Sequence, residues 1–135
     1  MKAHPYLNFK GNCREAFEFY AETFGGEIVV LMVTGDTPMR DHMPPELHDS
    51  IVHAQVRIGD SIVMGSDAPP DRYKEPTTYV SVMVDSIEDA ERIFAGLMVG
   101  GTEQMELQET FFAHRFGMLA DRFGTQWMIV SQKTP

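Results

Sequence analysis

Two polar residues on one predicted strand are the first groups in this sequence that could do chemistry. The stretch from Ile51 to Ile58 alternates, with apolar residues on one side and His53, Gln55 and Arg57 on the other. A histidine that faces a cavity can act as a general base. We therefore predict that His53 is catalytic and that Gln55 binds ligand. The alternative is a hydrogen-bonded strand histidine without chemistry.

A second group of candidates lies between residues 108 and 116, where charged residues sit among phenylalanines. A carboxylate against apolar walls has a raised pKa and can act as an acid or a base, so we predict Glu109 as a second catalytic residue. A guanidinium pairs well with a carboxylate or a phosphonate, so we predict Arg115 as a ligand-binding residue. Phe112 is predicted to bind ligand as part of an apolar wall. The alternatives are an exposed loop carboxylate and a surface arginine.

Charge and composition exclude several classes of function. The 135 residues carry 20 acidic and 11 basic side chains, a net charge of -9, which disfavours nucleic acid and anionic membranes as partners. One cysteine, Cys13, leaves no intrachain disulfide and no multi-cysteine metal site. The sequence has no apolar run of membrane-spanning length and begins without a signal-peptide pattern, so we expect a cytoplasmic protein.

The elements that must position these residues occur in the same order twice. The first half predicts a strand at His4 to Lys10, then a helix that Asn12 and Glu15 would cap and Gly25-Gly26 would end. A strand at Glu27 to Val33, an irregular loop at Thr34 to Ser50 and a hairpin at Ile51 to Ser66 follow. The loop is long enough to act as a lid. The second half predicts a strand at Thr78 to Val84, a helix between Ser86 and Gly100-Gly101, and strands at Glu103 to Leu107, Phe116 to Arg122 and Gln126 to Ser131.

This internal repeat predicts an α+β fold. Two βαβββ repeats would form a curved eight-stranded mixed sheet around a cavity, with the helices on the outer face. We predict a single domain over residues 1–135, with repeat 1 at about 4–66, a linker at 67–77 and repeat 2 at about 78–131. Asp121, which precedes Arg122-Phe123-Gly124, is typical of a turn.

Three segments resemble a known family. PYLNFKGNCREAFEFYAETFGGEIV, HAQVRIGDSIVMGSDAPP and GGTEQMELQETFFAHRFGMLADRFGTQWMI are similar to the opening, the central hairpin and the end of PhnB-like proteins. These form a branch of the glyoxalase, bleomycin-resistance and dioxygenase (vicinal oxygen chelate) superfamily. The superfamily includes metal-dependent enzymes and metal-free binding proteins, so the resemblance implies the fold without the activity.

The resemblance allows a test for the metal site of the catalytic members. By strand alternation, their ligand positions fall on His4, Val63, Tyr79 and Met128. A thioether and a phenol are poor ligands for a hard or borderline dication. We therefore expect no metal site. A divalent metal stays possible, with His4 as its one ligand from this set.

The resemblance also implies a homodimer that binds a small molecule. We predict the ligand-binding residues Tyr6, Gln55, Tyr79, Phe112, Arg115 and Met128. Two alternatives stay open: a metal-dependent lyase, isomerase or dioxygenase, with His53 or Glu109 completing the site, and an antibiotic-binding resistance protein. A methyltransferase is rejected, because no glycine-rich loop follows the first strand.

Overall fold

The computed structural model describes residues 1–133 and divides the chain into two compact units, with the boundary after Lys74. Each unit has the order strand, helix, three strands, and each forms a four-stranded mixed sheet. The predicted α+β class and the two βαβββ repeats are therefore confirmed. Within the described residues, no helix is both long and apolar enough to span a membrane.

The first unit contains β1 (Tyr6–Phe9), α1 (Cys13–Phe24), β2 (Glu27–Val33), β3 (Ile51–Ile58) and β4 (Ser61–Asp67). The strand order is β1-β4-β3-β2, with β1 parallel to β4 and the other pairs antiparallel. Strand β1 is shorter than the predicted His4 to Lys10, because it pairs with β4 over four residues.

Helix α1 covers one face of this first sheet. Phe9, Ala54, Val56 and Val63 point towards the helix and are buried. Gly65 lies on the same face, where an added Cβ would be 2.9 Å from the Phe17 ring. A side chain at this position would clash with Phe17, so α1 could not pack as closely on the sheet. The opposite face, which points away from α1, carries Tyr6, Met32, His53, Gln55 and Met64 by strand pairing. We call it the distal face of the first sheet.

The start of α1 is held by a distant carboxylate and not by the predicted capping box. Asn12 makes no side-chain cap, and within residues 1–133 its Oδ1 has no hydrogen-bond partner. Asp67 at the end of β4 accepts hydrogen bonds from the backbone N–H groups of Gly11 (3.1 Å) and Cys13 (2.9 Å). Its other oxygen accepts from Ile51 N–H at 2.8 Å. Asp67 thereby joins α1, β3 and β4.

The predicted irregular loop between β2 and β3 folds into three short 3₁₀ turns, Thr34–Asp36, Pro38–His42 and Pro45–Leu47. Its two ends are bonded together. Thr34 N–H donates to the Ser50 carbonyl at 2.9 Å, and Gly35 N–H donates to the His48 carbonyl at 2.8 Å. The His48 ring Nε2 lies 3.0 Å from the carbonyls of both Arg40 and Met43, which closes the interior of the loop.

The second unit contains β5 (Val80–Met83), α2 (Ile87–Leu97), β6 (Thr102–Gln108), β7 (Ala113–Ala120) and β8 (Gln126–Gln132). The order is β5-β8-β7-β6, with β5 parallel to β8. Trp127, Ile129 and Leu119 are buried on the α2 face. Gly117 lies there too, because an added Cβ would be 2.7 Å from the Phe94 ring. Strand β7 begins three residues earlier than predicted.

The start of α2 agrees with the prediction from the sequence, and its end comes earlier than predicted. The Ser86 hydroxyl accepts a hydrogen bond from Asp89 N–H at 3.0 Å, which confirms the predicted cap. The helix ends at Leu97, before the double glycine. Gly100 then takes the left-handed φ of 73° that favours glycine, and Gly101 packs so closely on the Ala120 carbonyl that a Cβ would be 2.6 Å from its oxygen.

Asp121 organises the turn between β7 and β8, as predicted. Its Oδ1 accepts hydrogen bonds from Phe123 N–H (2.9 Å) and Thr125 N–H (3.0 Å). Its Oδ2 accepts from the indole N–H of Trp127 at 2.9 Å. The carboxylate is buried and joins the turn to the core of the second unit.

Candidate functional site

Three of the predicted site residues meet on the distal face of the first sheet. The Tyr6 hydroxyl lies 3.2 Å from His53 Nδ1, and the Gln55 side-chain amide nitrogen lies 3.0 Å from His53 Nε2. The Tyr6 and His53 rings stack, with centroids 5.7 Å apart and planes 22° from parallel. Both ring nitrogens of the histidine are therefore contacted from within the same sheet.

Strand pairing explains this arrangement. Tyr6 on β1 is paired with Met64 on β4, and Met64 is paired with Gln55 on β3. His53 lies two residues before Gln55, so its side chain points to the same face. His53 and Gln55 are half-buried, and Tyr6 is 47% exposed, so a small molecule can reach the group from the solvent side.

The contacts constrain the histidine. With the amide nitrogen of Gln55 donating to Nε2, that nitrogen must be the unprotonated acceptor, and Nδ1–H then donates to the Tyr6 oxygen. A bound molecule that displaces the Gln55 amide would find an imidazole lone pair directed at it. Such a group can accept a proton or a hydrogen bond.

The structure corrects one of the four positions tested for a metal. Val63 was assigned to the cavity side, but it is buried against α1 and pairs with Val56. Met64 occupies the distal position. It pairs with Tyr6 as Met128 pairs with Ser81 in the second unit, so the two methionines are equivalent in the repeat.

In the second unit the predicted residues Tyr79 and Met128 lie on the side of the sheet away from α2. The Tyr79 hydroxyl donates to Gln104 Oε1 at 2.8 Å, and Gln104 Nε2 donates to Gln126 Oε1 at 3.1 Å. Neither glutamine was among the site residues predicted from the sequence. Because side chains alternate along β8 and Trp127 faces the core, the sequence could have placed Gln126 on this side of the sheet. Gln104 lies at an irregularity in β6, where the alternation is broken.

The pKa of Glu109 is shifted in the opposite direction to the one predicted from the sequence. It is exposed at the end of β6, and Lys133 Nζ lies 3.1 Å from its Oε2. The hydrogen bond and the charge of Lys133 lower the pKa of Glu109 below its usual value. The expectation of a pKa raised by apolar walls is therefore wrong, because the carboxylate points at an ammonium group.

Arg115 does not share the face of the second sheet that carries Met128 and the Tyr79 hydrogen bonds. The Arg115 side chain reaches α2, where its Nε lies 3.4 Å from Glu91, so it lies on the opposite face of the sheet from Met128. Phe112 precedes β7 and packs edge-to-face on Phe111 and Phe116, with both centroid distances 5.2 Å. Arg115 thus has a carboxylate partner already.

The donor groups do not fit the divalent metal of the superfamily's catalytic members. His4 is exposed and precedes β1, and the other three positions, with Met64 in place of Val63, offer a phenol and two thioethers. Among residues 1–133, no three His, Cys, Asp or Glu side chains are grouped closely enough to hold a metal ion. We derive no chemical step through such a metal.

Comparison with known proteins gives consistent matches over the whole chain. The family model described as 3-demethylubiquinone-9 3-methyltransferase matches residues 1–130. Protein YjdN of Escherichia coli (strain K12) is 37% identical over 139 residues, which cover 96% of this chain and 94% of that protein.

Solved structures agree with the sequence matches. Protein PA1353 from Pseudomonas aeruginosa superposes with a TM-score of 0.88 at 39% identity and 99% coverage of both chains. A putative 3-demethylubiquinone-9 3-methyltransferase, PhnB protein, from Bacillus cereus gives 0.79 at 25% identity, covering 97% of this chain and 99% of that one. The fosfomycin resistance protein FosX from Listeria monocytogenes shares the fold, with a TM-score of 0.66 at 13% identity over 98% and 94% of the two chains.

Proposed function

Because the chain belongs to the family described as 3-demethylubiquinone-9 3-methyltransferase, the PhnB-like family that its sequence resembles, we propose that it binds a small organic molecule without the superfamily's metal site. His53 is the reactive group of this proposal. It accepts a hydrogen bond or a proton from the bound molecule at Nε2, where the molecule displaces the Gln55 amide, while Tyr6 still holds Nδ1.

The contact of both histidine nitrogens with neighbouring side chains is the observation that carries the proposal. A histidine held at both nitrogens has its ring plane and tautomer fixed before the ligand arrives, which lowers the cost of binding. The Tyr6 hydroxyl, 3.2 Å from Nδ1, supports the charge that appears on the ring if Nε2 takes a proton. Glu109, the second predicted catalytic residue, lies in the second unit, and we propose that it acts as an ionised carboxylate, since Lys133 lowers its pKa.

Methyl transfer finds no support in the β1–α1 turn. The turn contains one glycine, Gly11, and its N–H groups at the helix start are already bonded to Asp67. An anionic cofactor group would have to displace this carboxylate. The family description therefore does not define the chemistry of this site.

Exposed apolar side chains support the proposed homodimer. Phe111 is 93% exposed and Met83 63% exposed, and a subunit interface that included them would remove this apolar surface from water. Sedimentation velocity over a range of protein concentrations tests this part of the proposal, and a monomer at all concentrations would refute it.

A thermal-shift screen of a small-molecule library tests the proposed binding, since a ligand of the folded state raises Tm by mass action. Compounds that stabilise the wild type should lose most of this effect with His53→Ala and part of it with Tyr6→Phe. His114→Ala is the matched control, because His114 is exposed on β7. Hits that stabilise the His53→Ala variant as well as the wild type would refute the role of His53.

The same thermal-shift assay tests whether the protein binds a divalent metal through His4. Protein treated with a chelator and then titrated with Ni²⁺, Zn²⁺, Mn²⁺ or Co²⁺ should show no shift that depends on His4. A stabilisation that disappears with His4→Ala would contradict the metal-free proposal.

A further inference from the structure

The side of the second sheet that points away from α2 carries an ordered set of uncharged residues. We call it the distal face of the second sheet. Strand pairing places eleven residues there in three rows: Gln126, Ala120 and Thr102; then Ser81, Met128, Met118 and Met105; then Met83, Val130, Phe116 and Gln108. Charged residues make up 23% of the chain, yet none occupies these positions.

The absence of charge at these eleven positions determines what can bind. An anion removed from water needs a cation or several hydrogen-bond donors to offset its lost hydration. Two cations of the second unit are engaged elsewhere: Arg115 pairs with Glu91 on the α2 side, and Lys133 pairs with Glu109. The face is therefore suited to a neutral molecule and unsuited to a phosphonate or a carboxylate.

One end of the face provides directed hydrogen bonding. Tyr79 donates to Gln104, Gln104 donates to Gln126, and Gln126 donates to the carbonyls of Thr78 (3.0 Å) and Pro76 (3.4 Å). This chain runs in one direction and leaves the Tyr79 oxygen as an acceptor and the second N–H of Gln104 as a donor. A neutral group that both donates and accepts, such as a carboxamide or a phenol, matches these two positions.

The remainder of the face is apolar and adaptable. Met105, Met118 and Met128 occupy adjacent strands in one row, and Phe116 follows in the next. Thioethers make favourable contacts with aromatic rings and adjust to their shape. From the Gln126 row to the Phe116 row the strand advances four residues, or about 13 Å at the usual rise.

We propose that the distal face of the second sheet binds a neutral, elongated aromatic molecule whose carboxamide or phenol end bonds to Tyr79 and Gln104 and whose rings lie on the three methionines. This inference goes beyond the proposed binding at His53: it assigns a ligand surface on the second unit and names the class of molecule that this surface takes.

Two isosteric probes test it directly: biphenyl-4-carboxamide, which is neutral, and biphenyl-4-carboxylate, which is an anion at pH 7. Protein labelled with ¹³C at the methionine methyl groups is titrated with each probe and followed by NMR. We expect the carboxamide to shift the Met105, Met118 and Met128 signals and to bind at least about tenfold more tightly than the carboxylate. Met39, in the 34–50 loop, is the internal control.

Variants separate the inference from the proposed function. Gln104→Leu removes this N–H donor and should weaken carboxamide binding about fivefold. Equal or tighter binding of the carboxylate, or no shift of the three methionines with either probe, would overturn the inference. Library hits that depend on His53 but not on the three methionines would leave the proposed function standing and the inference refuted.

Discussion

Replacing Asp121 should destabilise the protein strongly, because this buried carboxylate joins the β7–β8 turn to the core of the second unit. Its buried carboxylate accepts three hydrogen bonds, from the N–H groups of Phe123, Thr125 and the Trp127 indole. A hydrogen bond to a charged acceptor contributes about 1.5–3 kcal/mol, and the three share one group, so we expect Asp121→Ala to cost about 3–5 kcal/mol. That is a large part of the stability of an ordinary domain.

Asp121→Asn gives a finer test of the same reasoning. The asparagine oxygen can still accept the two backbone hydrogen bonds of the turn, but its NH₂ group then faces the indole N–H of Trp127, donor against donor. We expect a loss of about 2–3 kcal/mol, smaller than that of the alanine variant. Asp60→Ala is the matched control, because Asp60 is exposed in the equivalent β3–β4 turn.

Urea unfolding provides the measurement. The single tryptophan of the chain is Trp127, which is fully buried, so its fluorescence reports the second unit directly, and far-UV circular dichroism reports the whole chain. Stability follows from the midpoint and the slope of the transition. A loss below about 1 kcal/mol for Asp121→Ala, or one equal to that of the control, would refute the assignment of Asp121 as a structural carboxylate.

Three further predictions concern other buried or paired groups. Burial, with the charge of Asp67 adding to it, raises the pKa of the Cys13 thiol from 9.0 to about 12. Native protein should thus resist a thiol reagent at pH 8. Because the folded state keeps its proton longer, stability should fall between pH 9 and pH 12, by about 2 kcal/mol at pH 10.5, when wild type is compared with Cys13→Ala in urea. Gly65→Ala should cost about 1–3 kcal/mol by overpacking, because its Cβ would lie 2.9 Å from the Phe17 ring; an unchanged urea midpoint would contradict this. Lys133→Met should raise the pKa of Glu109, because the variant removes the hydrogen bond and the positive charge that Lys133 supplies. If the pKa of the Glu109 carboxyl, measured by ¹³C NMR titration, does not change in the variant, the pairing is contradicted.

Much of the fold could be predicted from the sequence, because the repeat shows in local signals. Alternation on β3, the cap at Ser86 and the turn residue Asp121 all depend on neighbours a few positions away. The start of α1 could not be predicted in this way. Asn12 has the right residue type for a cap, but the N–H groups of the turn are taken by Asp67, 55 residues after Asn12 in the sequence.

The candidate site was predictable where strands are regular. Alternation correctly placed His53 and Gln55 on one face, and strand pairing brings Tyr6 to them. Val63 was misplaced because the similar segments around the two hairpins conceal turns of different length: β3 and β4 are joined by two residues, and β7 and β8 by five. Arg115 follows an irregularity in the β7–β8 pairing, which alternation alone does not detect.

The hydrogen bonds between Thr34 and Ser50, at the two ends of the β2–β3 loop, make the geometry of the sheet less dependent on the length of that loop. Thr34 and Ser50 are joined by backbone and hydroxyl hydrogen bonds, so the ends of β2 and β3 are fixed whatever lies between residues 36 and 47. Inserting residues there costs loop-closure entropy, about 0.6 kcal/mol for each doubling of length, together with any of the His48 hydrogen bonds to Arg40 and Met43 that the insertion breaks. The segment is therefore a suitable place to insert a reporter peptide or an affinity tag without altering the position of His53.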